Sequence, residues 1–390
     1  MGKCTNLCQY FFGGGEGKKT AKNLPKRSMA QQQQQEQSLP RVVTLSEIEE
    51  VVSSDGFASR LVDAILDGFV SFSRGDFNAP PIQTMGAPPM APFERRGGGG
   101  GGDGGGEGEY SAQTCVKSGY ITSSSHYVVK VASGGRPFPA NSGNVQLYSQ
   151  STGALVAIFL DGGLLTELRT AAAGAAAARL LSPDLLGDGG PTSSGAAVGV
   201  VGTGTQARHQ LRYLKCATDC RRVRVWGRTG SNVRKFVEDM SAEGWDVRSV
   251  GDADDLLDSC GLIVTTTSSR APLLGGARGA RRRPLHVTCV GSDSTGKKEL
   301  DDAFVASADL LVADSRLQTA ERGEFEDAVR SGLVDVGDVV EIGELAHRRA
   351  LHRGRGVGDD GDCRLTIFDS SGVAVQDCVI ASMVYESLRR

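Results

Sequence analysis

The apolar run 196–201 ends directly in Gly202-Thr203-Gly204-Thr205-Gln206-Ala207, and this junction constrains the fold more than any other stretch of the chain. A run without polar alternation reads as a strand buried on both faces, as in a parallel sheet covered by helices. The first glycine permits a tight turn, the second lets a backbone approach a pyrophosphate, and the small Ala207 lets a helix pack closely on its strand. The helix that opens at Gln206 offers free N–H groups and a positive dipole end to phosphates. A glycine triplet alone says little, but strand, turn, helix and a second strand from Val223 to Trp226 follow in order. Gly202, Thr203, Gly204, Thr205, Gln206 and Ala207 are therefore candidate dinucleotide-binding residues.

The second strand bears on which dinucleotide binds. A site for NAD places an acid near its end to bond the ribose 2′-hydroxyl. Here the strand ends in Gly227-Arg228-Thr229, with no acid, and Arg228 suits a 2′-phosphate. NADP(H) is expected over NAD(H), with Arg228 and Thr229 joining the cofactor set; the alternative is a solvated surface arginine.

Further apolar runs at Leu262 to Val264, Leu285 to Val290 and Leu310 to Val312 alternate with helical stretches, one of them Ser231 to Met240. This is the pattern of a parallel sheet with helices on both faces. Upstream the pattern differs. Ser46-x-x-Glu49 reads as a capping box, and Leu61, Ile65, Phe69 and Phe72 recur at helical spacing. Tyr127 to Val131, Val145 to Tyr148 and Leu155 to Leu160 read as strands, and the Ala-rich stretch from Thr166 to Leu181 as a helix. Leu365 to Phe368 and Val375 to Leu388 read as a last strand and helix.

The expected class is α/β: a Rossmann-type dinucleotide-binding domain plus an α+β substrate and dimerisation domain. Residues 1–43 read as a disordered extension, with a glutamine tract at 31–35. Residues 44–190 form the substrate domain, with a Gly-rich insertion at 97–108, and 191–345 the Rossmann domain, before a C-terminal segment 346–390. Lys plus Arg number 43 against 46 acids, and a net charge of −3 argues against a nucleic-acid partner. No apolar run reaches the eighteen residues of a membrane span. The nine cysteines are irregularly spaced; Cys216 and Cys220 are four apart, but no second pair and no nearby histidine completes a zinc pattern, so no metal site is expected. They read as reduced thiols of a cytoplasmic protein. The extension is basic with few acids, as transit peptides are, but lacks their Arg-rich amphipathic pattern.

The chain resembles the ornithine cyclodeaminase and mu-crystallin family from about Ser46 to its end. The resemblance rests on Tyr127-Val128-Val129-Lys130-Val131, on Asp161 to Ala172 with Leu168-Arg169-Thr170, on the glycine motif, on Val290 to Leu300 with Ser292-Asp293-Ser294, and on Phe368 to Ala374. It implies a homodimer, a substrate domain to which the C-terminal strand and helix return, and a small amino or imino acid as substrate. It implies that Lys130 and Arg169 hold the substrate carboxylate and that Asp293 is the acid/base group. The residues agree in kind, because two cations neutralise a carboxylate and an arginine in a helix's first turn adds to its dipole. Read singly, Lys130 could instead be a strand charge, Arg169 could pair with Glu167 or Asp161, and Asp293 could cap a turn. Relatives often carry Pro-x-Arg after the early helices, the arginine also contacting the carboxylate. The nearest match is Pro81-Ile82-Gln83, and Gln83 can donate a hydrogen bond but brings no charge.

The expected function is that of an ornithine cyclodeaminase-like, NAD(P)-dependent enzyme acting at the Cα–N bond. Reduction of a cyclic ketimine and alanine-type dehydrogenation are the alternatives on the same scaffold, and a mu-crystallin-like binding protein is a third. Asp293 leans toward cyclodeaminase or dehydrogenase, Arg228 toward an NADPH reductase.

Overall fold

The computed structural model describes residues 39–86, 111–136, 142–182, 197–275, 284–351 and 365–389. The Gly-rich insertion and most of the N-terminal extension lie outside them. The first part of the chain builds a seven-stranded, mostly antiparallel sheet. Its strands are β1 (Arg41–Val43), β2 (Phe77–Asn78), β3 (Gln83–Gly86), β4 (Ser111–Ile121), β5 (His126–Arg136), β6 (Ser142–Ser149) and β7 (Leu155–Phe159), in the order β1-β7-β6-β5-β4-β2 with β3 also on β4. Helices α1 (Leu45–Val52), α2 (Phe57–Ser73) and α3 (Leu164–Leu181) belong to this part. Leu61, Ile65 and Phe69 of α2 are buried, as their spacing requires.

The second part is an eight-stranded sheet whose described pairings are all parallel. It comprises β8 (Ala197–Val201), β9 (Arg222–Trp226), β10 (Asp246–Ser249), β11 (Cys260–Thr265), β13 (Leu285–Cys289), β15 (Leu310–Ala313), β16 (Val340–Glu341) and β17 (Leu365–Asp369). The order is β10-β9-β8-β11-β13-β17-β15-β16, and β12 (Arg270–Leu274) and β14 (Lys298–Leu300) pair separately. Between the strands run α4 (Thr205–Leu214), α5 (Gly230–Ala242), α6 (Asp255–Ser259), α7 (Asp302–Ala306), α8 (Arg316–Arg322), α9 (Glu326–Arg330) and α10 (Ile342–Leu351). The chain closes with α11 (Ala374–Ser387). β8, β11, β13 and β17 are buried at every residue; β8 reads as an unbroken apolar run for that reason, while β13 and β17 also bury His286, Thr288, Thr366 and Asp369.

Several expectations shift. The extension overlaps β1: Val43 is buried and pairs with Phe159, since two β-branched residues suit a strand edge better than a coil. The capping box is Thr44 with Glu47 rather than Ser46 with Glu49. α3 begins at Leu164, so Arg169 stands in its second turn and gains little from the dipole there. The last strand does not return to the first sheet; β17 lies between β13 and β15, while α11 crosses to pack on α2, α3, β4 and β5, and α10 also packs on α2. The small residues of α3 let it approach α4 closely. A Cβ on Gly174 would lie 2.1 Å from Gln210 Oε1.

Candidate functional site

Two features stand beside the ends of parallel strands: one at β8 and β9, the other at the turn after β17. The first is a cleft of 350 Å³ lined by Gly202, Thr203, Gly204, Gly227, Arg228, Thr229 and the loop Thr266–Ser269. Gly202 adopts a φ of 112°, and a Cβ there would sit 2.5 Å from Thr266 Oγ1, so the turn needs glycine. Gly204 differs. A Cβ there would meet nothing within 4 Å, so the space beside it lies outside the chain. Gly204 is also the N-cap of α4 and brings no capping side chain, which leaves the first N–H groups facing the cleft. Ala207 is buried against β8 and β9. Gln206 is not among the residues that line the cleft: its Nε2 donates to Glu167 Oε2 at 2.7 Å, tying α4 to α3. Arg228 and Thr229 are exposed at the end of β9. These residues fit the pyrophosphate and ribose of a dinucleotide.

The second feature is a buried cationic cluster. On the inner face of the first sheet one row runs Val43, Phe159, Val145, Lys130, Lys117 across five paired strands. Three apolar residues give way to two lysines at adjacent places. Lys130 Nζ donates to Asp377 Oδ1 of α11 at 3.1 Å, and Arg169 Nε lies 3.2 Å from the same oxygen. Arg169 also donates from Nη1 to Gln376 Oε1. Lys117 Nζ donates to the carbonyl oxygen of Gly372 at 2.7 Å. Gly372 has a φ of 84°, and a Cβ there would lie 2.7 Å from Arg169 Nη1, so the turn admits the guanidinium only as glycine. That turn is held by Asp314, whose Oδ2 accepts from Ser370 Oγ at 2.9 Å and from Gly372 N at 2.8 Å.

The cluster is short of anions. Burial alone would raise the Asp377 carboxyl, but Lys130, Arg169 and Lys117 outweigh it and hold it below the usual range. Burial lowers Lys130, against the pull of Asp377, and pushes Lys117 down to about 8. Buried Arg169 Nε and Gln376 Nε2 donate to no described atom.

Asp293 follows β13 in the loop facing this cluster. Its side chain is 57% exposed and pairs with Lys297 at 2.5 Å, and its carbonyl oxygen accepts from Arg322. Burial works to raise its carboxyl; Lys297, then Lys117 and Arg322, overcome that and keep it ionised. The structure thus brings Lys130 and Arg169 together and sets Asp293 within the field of Lys117. It does not bring in Gln83, which is exposed on β3 opposite Val116. Directly opposite residues share a sheet face, and Lys117, one place on, has the other.

Lys117, Gln376 and Asp377 had no sequence signal in the glycine or lysine motifs. An acid in the first turn of the largely apolar helix 374–387 was the available clue to Asp377.

A profile of the ornithine cyclodeaminase/mu-crystallin family matches residues 129–390. An uncharacterized cyclodeaminase of Sinorhizobium fredii is 33% identical over 278 residues, 70% of this chain and 79% of the relative. The iminosuccinate reductase of Paracoccus denitrificans is 32% identical over 246 residues, 62% of this chain and 69% of the reductase. Its crystal structure in complex with NAD+ superposes with a TM-score of 0.70 at 26% identity, covering 90% of this chain and 96% of that one. An archaeal alanine dehydrogenase dimer with bound NAD gives a TM-score of 0.70 at 25% identity, with coverages of 90% and 96%. On the profile match, the extent of these relatives and the shared fold, this chain belongs to the ornithine cyclodeaminase/mu-crystallin family.

Proposed function

We propose that the protein is a nicotinamide-dependent enzyme acting at the Cα–N bond of a small amino or imino acid, as an ornithine cyclodeaminase-like enzyme. The observation that carries this reading is the anion deficit of the buried cluster. Lys130 and Arg169 share Asp377 as their one ion-pairing carboxylate among the described residues, the neighbouring Lys117 pairs with no described carboxylate, and two buried donors stand unused. A substrate carboxylate supplies the missing charge and acceptors. Held there, the substrate turns its Cα toward the glycine-lined cleft.

Gly202 to Ala207 would hold the pyrophosphate, and Arg228 with Thr229 the 2′ end of the ribose, favouring NADP(H) over NAD(H). Bound there, the dinucleotide supplies or takes the hydride at the substrate Cα. Asp293, kept ionised, accepts a proton from a side-chain amine or holds the positive nitrogen departing from Cα. Relatives that include an alanine dehydrogenase dimer support a homodimer.

The test is a panel of ornithine, lysine, alanine, pyrroline-2-carboxylate and piperideine-2-carboxylate, each with NAD(H) and NADP(H). Turnover of at least one is expected. Dinucleotide binding without turnover of any amino or imino acid would move the protein to the binding branch of the family.

A further inference from the structure

We infer that Lys117 is a third cationic contact for the substrate carboxylate, beside Lys130 on the neighbouring strand. The inference rests on the proposal that this cluster binds a carboxylate. Register is the first argument. Lys117 and Lys130 are direct cross-strand partners, both buried on the inner face. Like charges so placed destabilise a sheet unless an anion lies between them. Asp377 already serves Lys130 and Arg169, and Lys117 makes no ion pair with a described residue. An ammonium has three donors, and one here is used, by the Gly372 carbonyl. Gln83, expected to complete the clamp, stands on the opposite sheet face, and Lys117 is the strand neighbour that faces in.

The surroundings set the sign of a pH effect. The charges acting on Lys117 are Lys130 of β5, Arg169 of α3, Arg322 of α8 and Asp377 of α11, and Lys117 in turn acts on Asp293 and Asp314. Burial and the three cations push its ammonium down to about 8. A carboxylate arriving beside it raises that value again, so binding takes up a proton above pH 8 and affinity falls as pH rises.

The probe is pyrrole-2-carboxylate, a flat carboxylate with no second acidic group, titrated by calorimetry into the full chain with its dinucleotide. Lys117→Met should weaken it by about 10- to 100-fold and flatten the fall in affinity above pH 8. Lys117→Arg should keep most of the affinity. The ligand-free Lys117→Met protein should melt no lower than wild type, because a buried like-charge pair is relieved; a structural lysine would lower the melting temperature. Equal affinity of wild type and Lys117→Met overturns the inference while leaving the carboxylate site intact. Absence of binding to wild type overturns that site instead. Weakening confined to a dicarboxylate probe such as succinate also overturns it, by assigning Lys117 to a second acidic group.

Discussion

Two buried polar clusters lie within this chain, and they are built to opposite rules. Beside the eight-stranded sheet, Glu299 of β14 accepts from Thr265 Oγ1, Thr267 N, Thr267 Oγ1 and Gly291 N at 2.6 to 3.1 Å. His286 places both ring nitrogens against hydroxyls, Thr366 at 2.8 Å and Thr288 at 3.0 Å. At the inner face of the antiparallel sheet, cations outnumber their paired carboxylate, and donors of Arg169 and Gln376 go unused. A buried polar group with its bonds complete needs nothing further from outside. One left incomplete costs free energy until a ligand arrives. The first cluster locks loops around the sheet; the second waits for an anion.

The largest effect expected is on Asp293. Asp293→Asn should keep substrate binding and lose turnover by about 10²–10⁴-fold if the carboxylate moves a proton. Near-normal kcat would move the protein to the ketimine reductase branch. The charge imbalance of the second cluster turns on Asp377. Asp377→Ala leaves Lys130 and Arg169 without their carboxylate and should cost about 3–5 kcal/mol of stability, read by denaturant unfolding. A loss near zero would mean that the cluster is already neutralised.

The same contrast governs what the sequence discloses. Strands β8, β11 and β13 were legible because both faces are buried, so chemistry and period agree. β4 was not. Among its described side chains the buried places are Lys117 and Gly119, and neither marks a strand interior. Thr44-x-x-Glu47 and Ser46-x-x-Glu49 both satisfy the capping pattern, and only the pairing of Val43 with Phe159 selects the first. The glycine cleft could be read from local spacing. Lys130, Arg169 and Asp293 came through resemblance, since 247 residues separate Lys130 from Asp377 and no local pattern reports such a contact. Lys117 could be found only through strand register.

At the cleft, Arg228 sharpens the cofactor side of the comparison. Arg228→Ala removes one charge-assisted contact, worth about 1.5–3 kcal/mol, to a 2′-phosphate. NADP(H) should weaken by roughly tenfold or more in fluorescence titration, with NAD(H) little changed. Equal losses would show that Arg228 does not read the 2′ position.

The smallest effect tests the satisfied cluster. Burial pushes His286 down to about 3, against the upward pull of a hydrogen bond with Thr366. The unfolded chain protonates this residue near pH 6.5. Above that value both states are neutral, and the stability contribution is complete. As pH falls toward 3, the unfolded state takes a proton that the folded state refuses, so stability drops by about 1.4 kcal/mol per pH unit. His209, also lowered by burial, to about 4, acts in the same window. Comparison with His286→Gln therefore isolates one residue: its stability should decline less steeply between pH 6 and 4 than that of wild type. Parallel curves would mean that His286 reaches water or a proton in the native state, and that the cluster is not closed.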